Sequence, residues 1–280
     1  MKLTSYNQFA SDLRHESVRT AVEHARRMGF EWVESLDVAP AGKRTPLYEK
    51  YDADECRRAL HDGGLRVACH SVALDRCDRR EEELLDCMYR EIDFAARIGS
   101  PYFHHTLVLS LKPLSDPMTY EQMLEAVLPN AQKIAARCRE YGLGCLYEPQ
   151  GLFFNGVDGV RGLLDAMRRD YDNVGVCMDL GNSMFVDVPP LEVVRALGEW
   201  TRHVHVKDYL SCPSPMEGRE GYFSRGGRWL SECALGEGAC ELSACLDVLC
   251  HLGYDGAVSL EVNGDDASVL RAMEWVKAHV

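Results

Sequence analysis

The sequence predicts an α/β fold, a single (β/α)8 TIM barrel spanning residues 1–280, and three observations support this. The chain has 280 residues, close to the roughly 250 residues of a typical barrel. Short apolar runs alternate with longer segments whose apolar residues recur every three or four positions, which indicates strands alternating with helices. No Gly-rich turn follows the first predicted strand, so a doubly wound sheet and a nucleotide cofactor are both disfavoured.

The predicted elements follow each other in strict alternation. The strands are residues 2–6, 32–35, 66–71, 102–106, 144–148, 174–179, 203–207 and 257–261. The helices are residues 17–28, 53–62, 80–98, 120–140, 159–168, 190–199, 243–252 and 267–278. Eight strand–helix units in this order predict parallel strands joined by crossover helices. No helix or strand is predicted in residues 209–238, which we expect to form a long loop after the seventh strand, covering a substrate on the catalytic face.

Charge and cysteine spacing exclude several classes of protein. The formal net charge of −13 gives no overall field that attracts nucleic acid or an anionic membrane. We find no apolar run of about 18 residues and no apolar signal core at the N-terminus, so we expect a cytoplasmic protein. The 12 cysteines include no Cys-x-x-Cys pair, and several lie in apolar runs. They are therefore expected to be reduced, buried thiols.

Polar side chains end four consecutive predicted strands, where TIM barrels place their active sites. The fifth strand ends at Glu148, the sixth at Asp179 and the eighth at Glu261. On the seventh, His203, His205 and Lys207 share one face because side chains alternate along a strand. A single carboxylate after a strand is often the N-cap of the next helix, but Glu is a poor N-cap residue.

Three carboxylates and one imidazole in this arrangement predict one divalent metal ion. Like charges so close together repel unless a cation lies between them. The mostly oxygen ligand set favours Mn²⁺ or Mg²⁺, with Co²⁺ and Zn²⁺ as alternatives.

Five segments resemble the xylose isomerase-like TIM barrel superfamily and, within it, the sugar phosphate isomerase/epimerase group. They are LYEPQG, CMDLGN, HVHVKD, LGEGA and GYDGAVSLEVNG. The resemblance implies that Glu148 and Glu261 bind the metal and flank the substrate, and that Asp179 and His205 are further ligands. It also implies association into a homodimer or homotetramer. Two positions depart from the ketose epimerase pattern: Asn182 replaces a His, and Lys207 is followed by Asp and Tyr where an Arg is expected.

The expected activity is isomerisation or epimerisation of a sugar or sugar-like ketose through an enediolate, with Glu148 and Glu261 as the catalytic proton-transfer residues. One alternative is a metal-dependent lyase or dehydratase of a keto-sugar or keto-cyclitol, similar to inosose dehydratase. A second alternative is a barrel that binds a sugar without turnover. The endonuclease branch of the superfamily is disfavoured, because its additional His ligands are missing here.

Further side chains are candidates for contact with the substrate. They are Lys207, Asn182, His70, His104, His105, Glu34 and Arg225. Each has a structural alternative: an ion pair for Lys207, a hydrogen-bonded core imidazole for the histidines, and a solvated loop side chain for Arg225.

Overall fold

Eight parallel strands close into a barrel in the computed structural model, which describes residues 1–38, 45–73, 81–111 and 117–280 and, for Glu81, the backbone only. The barrel order is β1-β11-β7-β6-β5-β4-β3-β2. The strands are β1 (Lys2–Ser5), β2 (Trp32–Val38), β3 (Arg66–Ala73), β4 (Tyr102–His105), β5 (Gly144–Tyr147), β6 (Val174–Asp179), β7 (Thr201–Val206) and β11 (Ala257–Leu260). The predicted (β/α)8 barrel is thus confirmed.

Helices connect the strands on the outside of the barrel. They are α1 (Asn7–His15), α2 (Val18–Arg27), α3 (Leu47–Lys50), α4 (Ala53–Asp62), α5 (Glu81–Ile98), α6 (Tyr120–Glu140), α7 (Gly156–Arg168), α8 (Pro190–Leu197), α9 (Leu242–His251) and α10 (Asp266–Lys277). Short 3-10 helices lie at Asn182–Val186 and Gly198–Trp200. Across the described ranges, no helix is both long and apolar enough to cross a bilayer.

Side-chain caps explain why two predicted helices have the bounds that the structure shows. At the start of α6, the Thr119 hydroxyl accepts the Gln122 N–H and the Gln122 side chain accepts the Thr119 N–H, which makes a capping box. At the start of α4, the Asp52 carboxylate accepts the Glu55 N–H at 2.8 Å. Helix α1 was not predicted, because its apolar residues form only a short pattern.

The expectation that residues 209–238 contain no strand is wrong. A three-stranded antiparallel sheet, here called the inserted sheet, is formed by β8 (Asp208–Cys212), β9 (Tyr222–Phe223) and β10 (Trp229–Cys233), in the order β8-β10-β9. Its far turn is fastened to the barrel, since Ser224 Oγ donates to Asp187 Oδ1 at 2.5 Å. Turn-rich sequence between short strands concealed this sheet from pattern analysis.

The barrel interior is polar at its carboxyl end, whereas the layer between barrel and helices is apolar. Five inward side chains are buried: Glu34, Ser71, His203, His205 and Ser259. The pairing register of β2 with β3 shifts between Val33 and Glu34, and that of β6 with β7 shifts between Val176 and Cys177. Such bulges re-aim side chains near functional sites. Most of the described cysteines are buried free thiols, although Cys250 is exposed.

Candidate active site

The structure brings the four predicted metal ligands together at the carboxyl end of the barrel. Glu148, Asp179, His205 and Glu261 come from β5, β6, β7 and β11, which are neighbours in the barrel. His205 Nδ1 lies 3.4 Å from Glu148 Oε2 and 3.5 Å from Glu261 Oε2. Ligand atoms of Glu148, Asp179 and His205 all lie within 4.8 Å of one another.

Backbone N–H groups orient the Asp179 carboxylate, and burial raises the pKa of both Asp179 and Glu148. Asp179 Oδ1 accepts the N–H groups of Gly181 at 2.8 Å and Asn182 at 2.6 Å, which fixes the carboxylate plane. Burial raises the pKa of Asp179, although the Lys207 charge opposes this. Burial also raises the pKa of Glu148, against the opposing effect of His205. Both carboxylates are therefore costly to ionise unless positive charge lies beside them.

Lys207 places a fixed positive charge among these ligands. Its Nζ donates to Glu261 Oε1 at 2.7 Å and to Asn182 Oδ1 at 3.1 Å, and lies 3.1 Å from Asp179 Oδ2. Burial disfavours the charged ammonium, but Asp179 and Glu261 outweigh burial and hold the pKa of Lys207 well above its usual value. Gly181 leaves room for this side chain, because a Cβ there would lie 2.6 Å from Lys207 Cγ.

The residues present fit a divalent cation. His205 Nδ1 is buried and has no hydrogen-bond partner among the described residues, yet two carboxylate oxygens face it. Unpaired acceptors that converge in this way are the usual surroundings of a metal ion. Imidazole and carboxylate are suitable ligands for Mg²⁺, Mn²⁺ or Zn²⁺.

Two other candidate residues also lie at this end of the barrel. Asn182 is 2% exposed, and within the part of the chain that the structure describes its Nδ2 has no hydrogen-bond partner. Glu34 is fully buried beneath His205, whose Nε2 lies 3.0 Å from Glu34 Oε1. Burial alone would raise the pKa of Glu34, but His205 and His203 hold it well below its usual value.

The structure does not bring His70 or His105 to the site, because both face the helices. His70 contacts Ser35 Oγ at 2.7 Å and Glu91 Oε2, on α5, at 2.9 Å. The His105 ring packs edge-on against Tyr147, with ring centres 4.9 Å apart. Tyr147 is itself bonded to a carbonyl of α6, which places this pair in the layer between barrel and helices.

Arg225 is also directed away from the ligands. Its guanidinium donates to the Leu152 carbonyl, and its N–H donates to the Phe185 carbonyl at 2.8 Å. These bonds attach the inserted sheet to the loop after β5 and to the 3-10 helix after β6. In this structure Arg225 therefore has a structural contact and none with the four ligands.

Two further side chains lie beside the candidate ligands: Tyr6, which the sequence pattern does not identify, and His104, which it does not distinguish from His105. The Tyr6 ring stacks on the His205 ring with centres 4.7 Å apart, and its position at the end of β1 was a usable signal. His104, which the sequence placed level with His105, faces inward. Its unpaired Nε2 lies 3.7 Å from Glu148 Oε1.

The HVHVKD and LGEGA motifs form one structural unit. The Asp208 carboxylate accepts backbone N–H groups of Tyr209, Gly236, Gly238 and Cys240 at 2.9–3.2 Å. A Cβ on Gly238 would lie 2.1 Å from Asp208 Oδ1, so glycine is required at this close approach. This unit fixes the start of the inserted sheet directly after Lys207.

A cleft of about 510 Å³ opens beside the ligands, and Lys207, Glu261, Glu232, Asn263 and Trp275 contribute to its lining. This volume is within the range of small-molecule sites. A slightly larger cleft of about 590 Å³ lies on the helix side, between Tyr48, Arg97 and Arg137. The first cleft contains two of the site side chains described above, Lys207 and Glu261, and the second contains none of them.

Comparison with known proteins agrees with this architecture. The family model described as xylose isomerase-like TIM barrel matches residues 22–279. A search of curated proteins found no significant match.

Several solved structures share the fold. D-allulose 3-epimerase from Methylomonas sp., in complex with D-allulose, has 14% identity and a TM-score of 0.75, over 100% of this chain and 97% of that one. A probable 3-DHS dehydratase from Bacillus anthracis has 19% identity and a TM-score of 0.72, over 99% of both chains. A Mycobacterium smegmatis barrel protein in complex with magnesium has 19% identity and a TM-score of 0.72, over 98% of this chain and 95% of that one. By the family match and the closed barrel, the chain belongs to the xylose isomerase-like TIM barrel family.

Proposed function

We propose that this protein is a divalent-metal-dependent isomerase or epimerase of a sugar or sugar-like ketose. The observation that carries the proposal is the convergence of Glu148, Asp179, His205 and Glu261 around an unpaired imidazole nitrogen. The similar fold of an epimerase bound to D-allulose supports the choice of substrate class.

The reaction needs a proton to leave and rejoin carbon next to a carbonyl. A divalent cation held by Glu148, Asp179, His205 and Glu261 would supply Lewis-acid stabilisation of the negative charge on the substrate oxygens. Glu148 and Glu261 lie at the two ends of the row β5-β6-β7-β11, so they are suited to act on opposite faces of a sugar between them. Lys207 and Asn182 supply hydrogen-bond donors to a substrate hydroxyl or carbonyl.

In both glutamates Oε2 faces His205, but the contacts of Oε1 differ. Glu261 Oε1 accepts a hydrogen bond from Lys207 at 2.7 Å, so this oxygen is already occupied by a donor and is less accessible to a substrate proton. Glu148 Oε1 has His104 Nε2 at 3.7 Å, beyond hydrogen-bond distance. We therefore assign removal of the substrate proton to Glu148 and its return on the other face to Glu261.

Dehydration of a keto-sugar or keto-cyclitol is the second candidate. It requires the same proton removal, followed by loss of a β-hydroxyl. Two features favour it: Asn182 and Lys207 depart from the ketose epimerase pattern, and the dehydratase from Bacillus anthracis has a similar fold. The Lys207 ammonium, next to Glu261, is suited to donate a hydrogen bond to a leaving hydroxyl.

The first experiment is elemental analysis of the purified protein beside the Glu148→Gln and Asp179→Asn variants. We expect about one divalent ion per chain, and its loss in the variants, because one carboxylate ligand is removed in each. A panel of ketoses is then incubated with the metal-loaded protein in deuterated water, and the masses of the recovered sugars are measured by mass spectrometry.

Deuterium incorporation without loss of water supports isomerisation or epimerisation, whereas a loss of about 18 mass units indicates dehydration. Metal binding without exchange or product on the whole panel favours a barrel that only binds a sugar. Absence of metal under every loading condition contradicts the proposal.

A further inference from the structure

We infer that Glu34 is a positioning residue that fixes His205 as a ligand through Nδ1, a role distinct from substrate contact. The inference rests on the metal site proposed above. Glu34 lies one layer deeper in the barrel, fully buried and bonded to two imidazoles and one hydroxyl. This position is out of reach of a substrate in the cleft.

The hydrogen bonds determine which nitrogen of His205 carries a proton. An ionised carboxylate only accepts hydrogen bonds. Since His205 Nε2 lies 3.0 Å from Glu34 Oε1 and 3.2 Å from Oε2, Nε2 must be the donor. When the ring is neutral, as a ligand to a metal must be, its lone pair is on Nδ1, the atom that faces Glu148 and Glu261. A carboxylate behind a ligating histidine has this effect on tautomer and ring orientation in many metal sites.

The carboxylate itself is held from two further directions. Ser71 Oγ donates to Glu34 Oε1, and His203 Nε2 contacts Oε2 at 2.7 Å. The register shift at Glu34 adds an extra residue to β3, so the inward direction of Ser71, which donates to Glu34, depends on a local feature of the sheet. On the other side of His205, the stacked Tyr6 ring restricts rotation of the imidazole. His205 is thus constrained in both ring plane and tautomer.

A second metal ion between Glu34, His203 and His205 is the competing explanation of this cluster. The 2.7 Å and 3.0 Å separations are ordinary N–H···O hydrogen-bond lengths, and Ser259 Oγ lies 2.9 Å from His203 Nε2 as well. Every nitrogen that faces Glu34 already has a hydrogen-bond partner, which favours the hydrogen-bonded network.

The test combines metal binding with a direct reading of the tautomer. Zn²⁺ is titrated calorimetrically into metal-free wild type, Glu34→Gln and Ser259→Ala. Gln keeps the length of Glu but offers one accepting oxygen, so it cannot receive all three donors. Ser259→Ala is the matched control, because it removes an equally buried polar group that contacts His203 and not Glu34. In parallel, ¹⁵N-histidine spectra of wild type are recorded with and without Zn²⁺, with His205→Gln for assignment.

We expect Glu34→Gln to bind Zn²⁺ about 10–100-fold more weakly and the control to bind about as tightly as wild type. In wild type, Nε2 of His205 should carry a proton, and only Nδ1 should shift on Zn²⁺ addition. Unchanged affinity in Glu34→Gln, or an unprotonated Nε2, overturns the inference. A stoichiometry of two Zn²⁺ ions in wild type and one in Glu34→Gln also overturns the inference, because it indicates a second metal site at Glu34. If wild type binds no Zn²⁺, the proposed function fails, while the wild-type spectrum, assigned with His205→Gln, still reads the tautomer of His205 without Glu34→Gln having to fold.

Discussion

Replacement of Lys207 by Met tests whether the Lys207 ammonium stabilises the cluster of candidate metal ligands. In wild type the ammonium lies 3.1 Å from Asp179 Oδ2 and 2.7 Å from Glu261 Oε1. Met keeps much of the length and apolar stem but removes the charge. The buried carboxylate of Asp179 is then left without compensation in the metal-free protein.

The magnitude follows from burial. Removing one partner of a buried ion pair costs about 3–5 kcal/mol, and the low end applies because the Glu261 side chain is 24% exposed. With an unfolding entropy of about 2.1 cal/mol/K per residue, 280 residues convert a loss of about 3 kcal/mol into a fall in Tm of roughly 5 °C. The same change on the exposed Lys133 of α6 should cost less than about 0.5 kcal/mol.

A divalent metal should reduce the difference in Tm between wild type and Lys207→Met. Without the Lys207 charge, an incoming cation meets the same carboxylates with less repulsion and restores their compensation. We therefore expect excess MnCl₂ to raise the Tm of Lys207→Met more than that of wild type, measured by scanning calorimetry against an EDTA reference. Equal Tm values for the two metal-free proteins, or equal metal-induced shifts, would refute the reasoning.

Three further predictions address the site and its surroundings. With each variant reloaded by excess MnCl₂ and its metal content verified, Glu148→Gln should lose deuterium exchange into substrate by about 10²–10⁴-fold. Glu261→Gln should keep exchange but lose epimerised product, and equal behaviour of the two variants would contradict their assignment. Burial raises the pKa of Asp37 to about 7, above the unfolded value, so its stabilising effect is complete below about pH 4 and lost as pH rises through 7. Asp37→Asn should therefore gain stability relative to wild type between pH 4 and 8 in urea titrations. Gly238→Ala should destabilise the protein by about 1–3 kcal/mol and speed amide exchange of the four N–H groups bonded to Asp208; unchanged exchange would contradict that account.

The barrel could be predicted from the sequence because each level of pattern agrees with the others. Apolar strands, amphipathic helices and capping residues such as Thr119 and Asp52 indicate the same alternation. The position of the four candidate ligands could be predicted because a side chain at the carboxyl end of a parallel strand can point only to the barrel mouth or to the helix layer. At that end, Glu148, Asp179, His205 and Glu261 all lie at the mouth.

The remaining site contacts depend on which face of a strand a residue occupies. His104 and His105 are adjacent, so one must face inward and the other outward, and no local pattern distinguishes them. On β3, the inward face is set by a register shift that moves the pairing by one residue. His70 therefore faces α5 and Ser71 faces Glu34, an outcome that depends on pairing with β2.

Different parts of this barrel provide stability and function, because the polar groups lie in its upper interior and the apolar packing lies between strands and helices. TIM barrels usually fill their interior with layers of branched apolar side chains, whereas here the upper interior is a hydrogen-bonded column around Glu34. Such a column contributes little net stability, because each buried polar group must first be desolvated. Most of the stabilisation must then come from the apolar layer between strands and helices. Substitutions in that layer should lower Tm without changing metal affinity, whereas Glu34→Gln should lower metal affinity, because it alters the orientation of His205, in addition to the loss of Tm from a buried donor left unpaired.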